Sequence, residues 1–86
     1  MKLFTVPSFW DDYEKLPANI KALADKNFDL LKNNPNHPSL RLKKVGRFWS
    51  LRIGLNYRAS SVEFDDGVLW FWMGRHTTYD KILKNT

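Results

Sequence analysis

Between Lys2 and Val6 polar and apolar residues alternate, the period of a strand with one buried face. Pro7 ends that run, because proline has no N–H to give to a ladder. The period then lengthens. Phe9, Tyr13 and Leu16, followed by Ile20, Leu23, Ala24, Phe28 and Leu31, recur at helical spacing. Pro17 falls inside this stripe and suits the first turn of a helix better than an interior. The pattern therefore predicts two consecutive helices, the second ending near Asn33-Asn34-Pro35. Ser8 is the expected N-cap of the first, with Asp11 three positions on, where its charge favours the positive end of the helix dipole.

Asn34 to Ser39, with two prolines and two asparagines, reads as a loop. Leu40 to Val45 is expected as a short strand stopped at Gly46. Phe48 to Gly54 and Tyr57 to Phe64 are strand-like runs separated by a short turn. Val68 to Met73 follows after Asp65-Asp66-Gly67. Asp-Gly between two β-rich runs signals a hairpin, because a type I′ turn needs positive φ at both central residues. These runs predict an antiparallel meander. Thr77 to Asn85, with Tyr79, Ile82 and Leu83, suits a short terminal helix. The expected fold class is α+β: one domain over residues 1–86, in the order β-α-α-β-β-β(-β)-α. It is a small antiparallel β-sheet with the two N-terminal helices packed on one face and a short C-terminal helix.

Alternation along Phe48 to Gly54 puts Trp49, Leu51 and Ile53 on one face, against the helices, and Ser50 and Arg52 on the other. The same rule pairs Trp70 with Trp72 and sets Leu69, Phe71 and Met73 opposite. A run this apolar is expected to be a central strand buried on both faces, the other reading being a platform for stacked bases.

Composition narrows the function. The chain has 86 residues, 43% of them apolar, with four Trp, six Phe and three Tyr. That is enough for a core, although a chain this short buries only roughly 60–65% of its unfolded surface. It has no cysteine, which excludes disulfides, thiolate catalysis and Cys-based zinc sites and fits a reducing cytosol. The opening MKLFTVPSFW, broken by Pro7 and followed by two aspartates, is not expected to be a signal peptide. No apolar run approaches the ~20 residues that span a bilayer. A net charge of +5 and a pI near 9.7 favour a polyanion or an acidic protein as partner. His37, expected to be solvated in its loop, and His76 are too few and too isolated for a metal site, so no metal and no cofactor are expected.

Four residues carry the candidate chemistry. Arg52 and Arg58 flank a short turn, and two guanidiniums close together suit a phosphodiester, each presenting a planar fork that stays charged. Exposed sheet faces also commonly carry arginine, so either residue alone has a plainer reading. His76 follows an apolar strand and Gly74, and imidazole both donates and accepts protons near neutrality. Tyr79 lies three residues on, on the same side if helix begins there, where its ring can stack on an unpaired base. The plainer reading makes His76 a strand-end cap and Tyr79 core. Asp80 is the one carboxylate near them, and it equally suits a helix cap. Trp10, at helical spacing, is expected in the core or against a protein partner.

Tyr57-Arg58 after a short turn resembles the YR element of the RelE/ParE toxin superfamily, and Gly74-x-His76-x-x-Tyr79-Asp80 resembles the GxHxxYD variant of its C-terminal motif. The element order is similar over nearly the whole chain. The resemblance, to RelE/HigB/YafQ-like members in particular, implies the toxin of a type II toxin–antitoxin system: a cytoplasmic, metal-independent endoribonuclease. Such a toxin cuts mRNA, usually in the ribosomal A site, and is held inactive by a co-expressed antitoxin. Carried onto this chain, it implies that Arg52 and Arg58 bind phosphate and stabilise the transition state, that His76 is general acid or base, and that Tyr79 stacks on a base. The ribose 2′-OH would attack the adjacent phosphorus, a reaction that needs proton transfer and compensation for charge developing on phosphate oxygens.

RelE itself has lysines where Ser50 and Arg52 stand and an arginine near His76. Only the second of those strand positions is cationic here, so the proton transfers are expected to follow the His-containing members. ParE-type members share the fold and poison DNA gyrase. His76 favours the nuclease branch, since an inhibitor working by protein contact needs no imidazole. A third class is a non-catalytic RNA-binding module using Arg52, Arg58 and exposed aromatics. The expected partners are a cognate antitoxin, mRNA and the ribosome, with no membrane and no small-molecule cofactor.

Overall fold

A computed structural model describes residues 2–78 of the chain. Strand β1 (Lys2–Thr5) leads into helices α1 (Pro7–Glu14) and α2 (Ala18–Asn33). Four further strands follow: β2 (Lys43–Val45), β3 (Phe48–Ile53), β4 (Tyr57–Phe64) and β5 (Gly67–Arg75). A helical turn occupies residues 76–78, while the rest of the expected terminal helix, with Tyr79 and Asp80, lies outside the described residues.

The five strands form one sheet in the order β1-β5-β4-β3-β2. The expected meander from β2 to β5 is present, each pair antiparallel. One strand departs from the expected antiparallel sheet: β1 runs parallel to β5, Lys2 opposite Gly67 and Thr5 opposite Trp70. Beyond Thr5, β5 continues with no strand on its β1 side. Val6 N–H still reaches the Trp70 carbonyl at 3.1 Å, and Asp12 Oδ2 of α1 accepts the Met73 N–H at 3.2 Å. A helix side chain thus satisfies a ladder donor that a longer β1 would have taken.

Three local expectations are corrected. Helix α1 starts at Pro7 rather than after Ser8; its N-cap is Val6, with extended backbone and no capping side chain. Proline's preset φ and missing N–H suit the first helical position, so Ser8 falls within the first turn. Leu40 lies in a short 3-10 helix over Pro38–Leu40, fully buried, and strand begins only at Lys43. The β4–β5 turn is the two-residue loop Asp65-Asp66, with φ of 45° and 63°, and Phe64 pairs with Gly67. Aspartate tolerates this left-handed region better than most residues. Gly67 is needed for another reason: a Cβ there would run into the backbone carbonyl of Lys2.

The helices pack on one face of the sheet, as expected. Phe9, Leu16, Ala24 and Leu31 are buried against Leu51 and Ile53 of β3, Ala59 of β4, and Val68, Trp70 and Met73 of β5. Phe28 meets Phe9 and Trp70 edge-on at centroid distances of 5.7 and 5.3 Å. Trp10, in contrast, is 51% exposed, its indole N–H held by Thr5 Oγ1 at 3.0 Å. Among the described residues no helix is long and apolar enough to cross a membrane.

Candidate functional site

The face of the sheet opposite α1 and α2 is set by register. Arg52 stands directly opposite Arg58, and Arg58 opposite Gly74; residues so paired share a face. Both arginines are half-buried. Arg52 Nε donates to the Gly54 carbonyl at 3.1 Å and Arg58 Nη1 to the Tyr57 carbonyl at 2.9 Å. The Arg52 backbone is itself held from α2, where Asn27 Nδ2 donates to its carbonyl at 2.9 Å. Like charges directly opposite one another weaken a ladder, so folding alone does not ask for this pair.

His76 lies at the same end of the sheet. Its backbone N–H donates to the carbonyl of Asn56, in the β3–β4 turn, at 2.8 Å. Its Nδ1 makes a long contact, 3.4 Å, with that same oxygen. A carbonyl only accepts, so this contact favours hydrogen on Nδ1 and leaves the Nε2 lone pair to take a proton. The ring is half-buried. Arg75, just before it, lies over Tyr57, its guanidinium carbon 5.8 Å from the ring centroid. Tyr79 and Asp80 lie outside the described residues, so of the four expected site residues three are placed, all around the β3–β4 turn.

A second row crosses the same face. Lys43 of β2 stands opposite Ser50, Ser50 opposite Ser60, and Ser60 opposite Trp72. Ser50 is on the expected face, yet it is only 7% exposed. Lys43 was not singled out from the sequence. Its strand is three residues long, too short for alternation to assign a face, and only pairing with Ser50 puts this cation beside Arg52.

Trp72 corrects a further expectation. The β4–β5 register slips between Ser60 and Ser61, so that Ser60 pairs with Trp72 and Ser61 with Trp70, leaving Phe71 as the extra residue of a bulge. Simple alternation therefore fails. Trp70 is 1% exposed in the core, whereas Phe71 and Trp72 both belong to the open face and are half-buried. Phe71 meets Phe48 at 5.7 Å, and the Trp72 indole lies 2.7 Å from where a Cβ on Gly74 would be. β5 is thus central but not buried on both sides, and its outer aromatics border the arginine pair. Among the described residues no three His, Asp or Glu side chains cluster as metal ligands do.

No family model matches the chain, and no curated protein matches it in sequence. Solved structures do. A chain of the RelB-RelE antitoxin-toxin complex from Methanococcus jannaschii superposes with a TM-score of 0.70 at 18% identity, covering 92% of this chain and 96% of that one. The YoeB/ParE toxin from Agrobacterium tumefaciens gives 0.69 at 22% identity, covering 88% and 99%. YafQ from E. coli strain BL21(DE3) gives 0.68 at 12%, covering 91% and 96%. The strand order, the two helices on one face and these superpositions together establish that the chain has the RelE/ParE toxin fold.

Proposed function

We propose that this chain is the toxin of a type II toxin–antitoxin system and a metal-independent endoribonuclease that cleaves mRNA on the ribosome, in the cytoplasm. Its partner is a cognate antitoxin, as RelB is for RelE in the Methanococcus jannaschii and E. coli complexes of this fold. The observation that carries the reading is the Arg52–Arg58 pair on the open face, with His76 held against the β3–β4 turn at the same end of the sheet. A phosphodiester between the two guanidiniums has its charge compensated as the ribose 2′-oxygen attacks phosphorus. His76, with Nε2 as its lone-pair nitrogen, takes a proton as base or, once protonated, gives one to the departing 5′-oxygen. Tyr79 stacks on a neighbouring base, and Lys43 adds charge along the path of the strand.

A second reading is favoured by one observation, that the Agrobacterium tumefaciens structure is named for both YoeB and ParE: the chain inhibits gyrase by protein contact. Incubating purified protein with mRNA, with and without translating ribosomes, separates the two. The expected products end in a 2′,3′-cyclic phosphate or a 3′-phosphate; 5′-phosphate with 3′-hydroxyl ends would refute attack by the 2′-OH. His76→Ala is expected to restore growth and abolish cleavage with the urea midpoint nearly unchanged, its side chain being half-buried outside the core. Toxicity that persists in His76→Ala with mRNA intact in both proteins would instead favour gyrase.

A further inference from the structure

A cleft of about 410 Å³ opens between the loop after α2 and the β2–β3 hairpin, lined by His37, Pro38, Arg41, Leu42 and Trp49. We propose that this cleft holds an unpaired nucleotide of an RNA strand that passes from the arginine pair round the β2 edge of the sheet, its base against Trp49 and its phosphate on Arg41. The proposal rests on the ribonuclease reading and adds a second contact to it.

Three features point to that occupant. Arg41, Lys43, Lys44 and Arg47 fall within seven residues, and of the four only Lys44 has an acidic partner among the described residues, Glu63 at 3.5 Å. Lysines on an edge strand serve to prevent edge-to-edge pairing, which accounts for Lys43 and Lys44. It does not account for Arg41, which precedes the strand, is exposed, and is held at a φ of 50° with its N–H on the Pro38 carbonyl at 3.2 Å. Trp49 offers a half-buried indole with Lys44 Nζ 5.8 Å from its centroid, the mixture of aromatic surface and cation that binds single-stranded nucleic acid. His37 completes the lining. Its Nδ1 accepts from Ser39 N–H at 3.2 Å, so the neutral ring carries its hydrogen on Nε2, a donor for a phosphate or base oxygen. Trp49 pairs with Ser61 on the helix side of the sheet, so the strand reaches the cleft from the open face by passing round the edge strand β2, where Lys43 stands.

The test is fluorescence-anisotropy binding of a fully 2′-O-methylated oligoribonucleotide, which lacks the attacking hydroxyl, across a salt series. Arg41→Gly removes the guanidinium and suits the left-handed backbone. It is expected to weaken binding roughly tenfold at low salt and to make the slope of log K against log salt shallower by about 0.7, one phosphate contact on a single strand. Trp49→Leu is expected to weaken binding by a similar factor, while Trp49→Phe retains most of it. Should Trp49→Leu fail to fold by circular dichroism, the Arg41→Gly and Trp49→Phe arms decide. An affinity and salt slope unchanged in Arg41→Gly would overturn the inference, and would leave the ribonuclease reading standing if the wild-type protein cleaves unmodified RNA. A polyglutamate peptide provides the contrast. If Arg41→Gly weakens its binding as much as that of RNA while Trp49→Leu affects neither, the cleft belongs to an acidic protein partner and the inference fails.

Discussion

A methyl group at position 67 would meet the backbone carbonyl of Lys2, and neither backbone can yield without breaking the β1–β5 ladder. Gly67→Ala is therefore expected to destabilise the fold by about 1–3 kcal/mol, seen as a lower urea midpoint; an unchanged midpoint would mean that β1 docks by other means. Tyr13 gives a test of a different kind. Its hydroxyl donates to Asp25 Oδ1 at 2.7 Å, and that hydrogen bond to a carboxylate, with some desolvation and the charges of Asp25 and Glu14, raises the phenol above its ordinary value of 10.0. A group raised in the folded state contributes stability that is fully present below its unfolded value and is lost as pH rises through the folded one. The melting temperature of wild type minus that of Tyr13→Phe should accordingly be level from neutral pH to about pH 10 and then fall. A difference that stays flat through the alkaline range would mean that the bond to Asp25 contributes nothing to the fold. At this scale the sequence offers candidates where chemistry is local: Arg52, Arg58 and His76 stand out by residue type and spacing, and their role is what the cleavage assay tests. Lys43 did not, because its relevance comes from the residue across the ladder.

At the scale of elements, the bulge at Phe71 decides which tryptophan carries the core. Trp70→Ala is expected to cost about 3–5 kcal/mol, whereas Trp72→Ala, on the open face, should cost much less and act on RNA binding instead. Equal losses in urea denaturation would contradict the register of β4 and β5. Period-2 alternation alone places both indoles on one side, and no residue near Phe71 announces the slip, which arises from pairing with β4. The helices, the break between them and the strand Tyr57–Phe64 were legible because period and proline chemistry are properties of a short window. The parallel β1–β5 pairing was not, since Lys2 and Gly67 are neighbours only in space. The Pro38–Leu40 turn was hidden for a related reason: Leu40 looks like the start of a strand until the core claims it.

Over the whole molecule, charge is unevenly divided. Of the nine acids, Asp11, Asp12, Glu14, Asp25 and Asp29 lie on the helices, while Lys43, Arg52 and Arg58 share the open face. An acidic antitoxin segment covering that face should associate faster at low salt, and Arg52→Glu with Arg58→Glu should slow association more than it disturbs folding. Stopped-flow rates insensitive to both would place the docking elsewhere, most naturally on the helices around exposed Trp10. The parallel pairing of the first strand with the last described one also bears on how such a chain is made. β1 is synthesised first, but the strand that holds it in the sheet is β5, some sixty residues later. Closing that long loop must precede any reward from the contact, which slows folding relative to helix-only domains. The arginine pair shares this dependence, because Arg58 is flanked by β5. During translation the nascent chain therefore holds the parts of the site without its geometry until the final strand emerges, an interval in which a partner already present can meet the chain before it is competent to act.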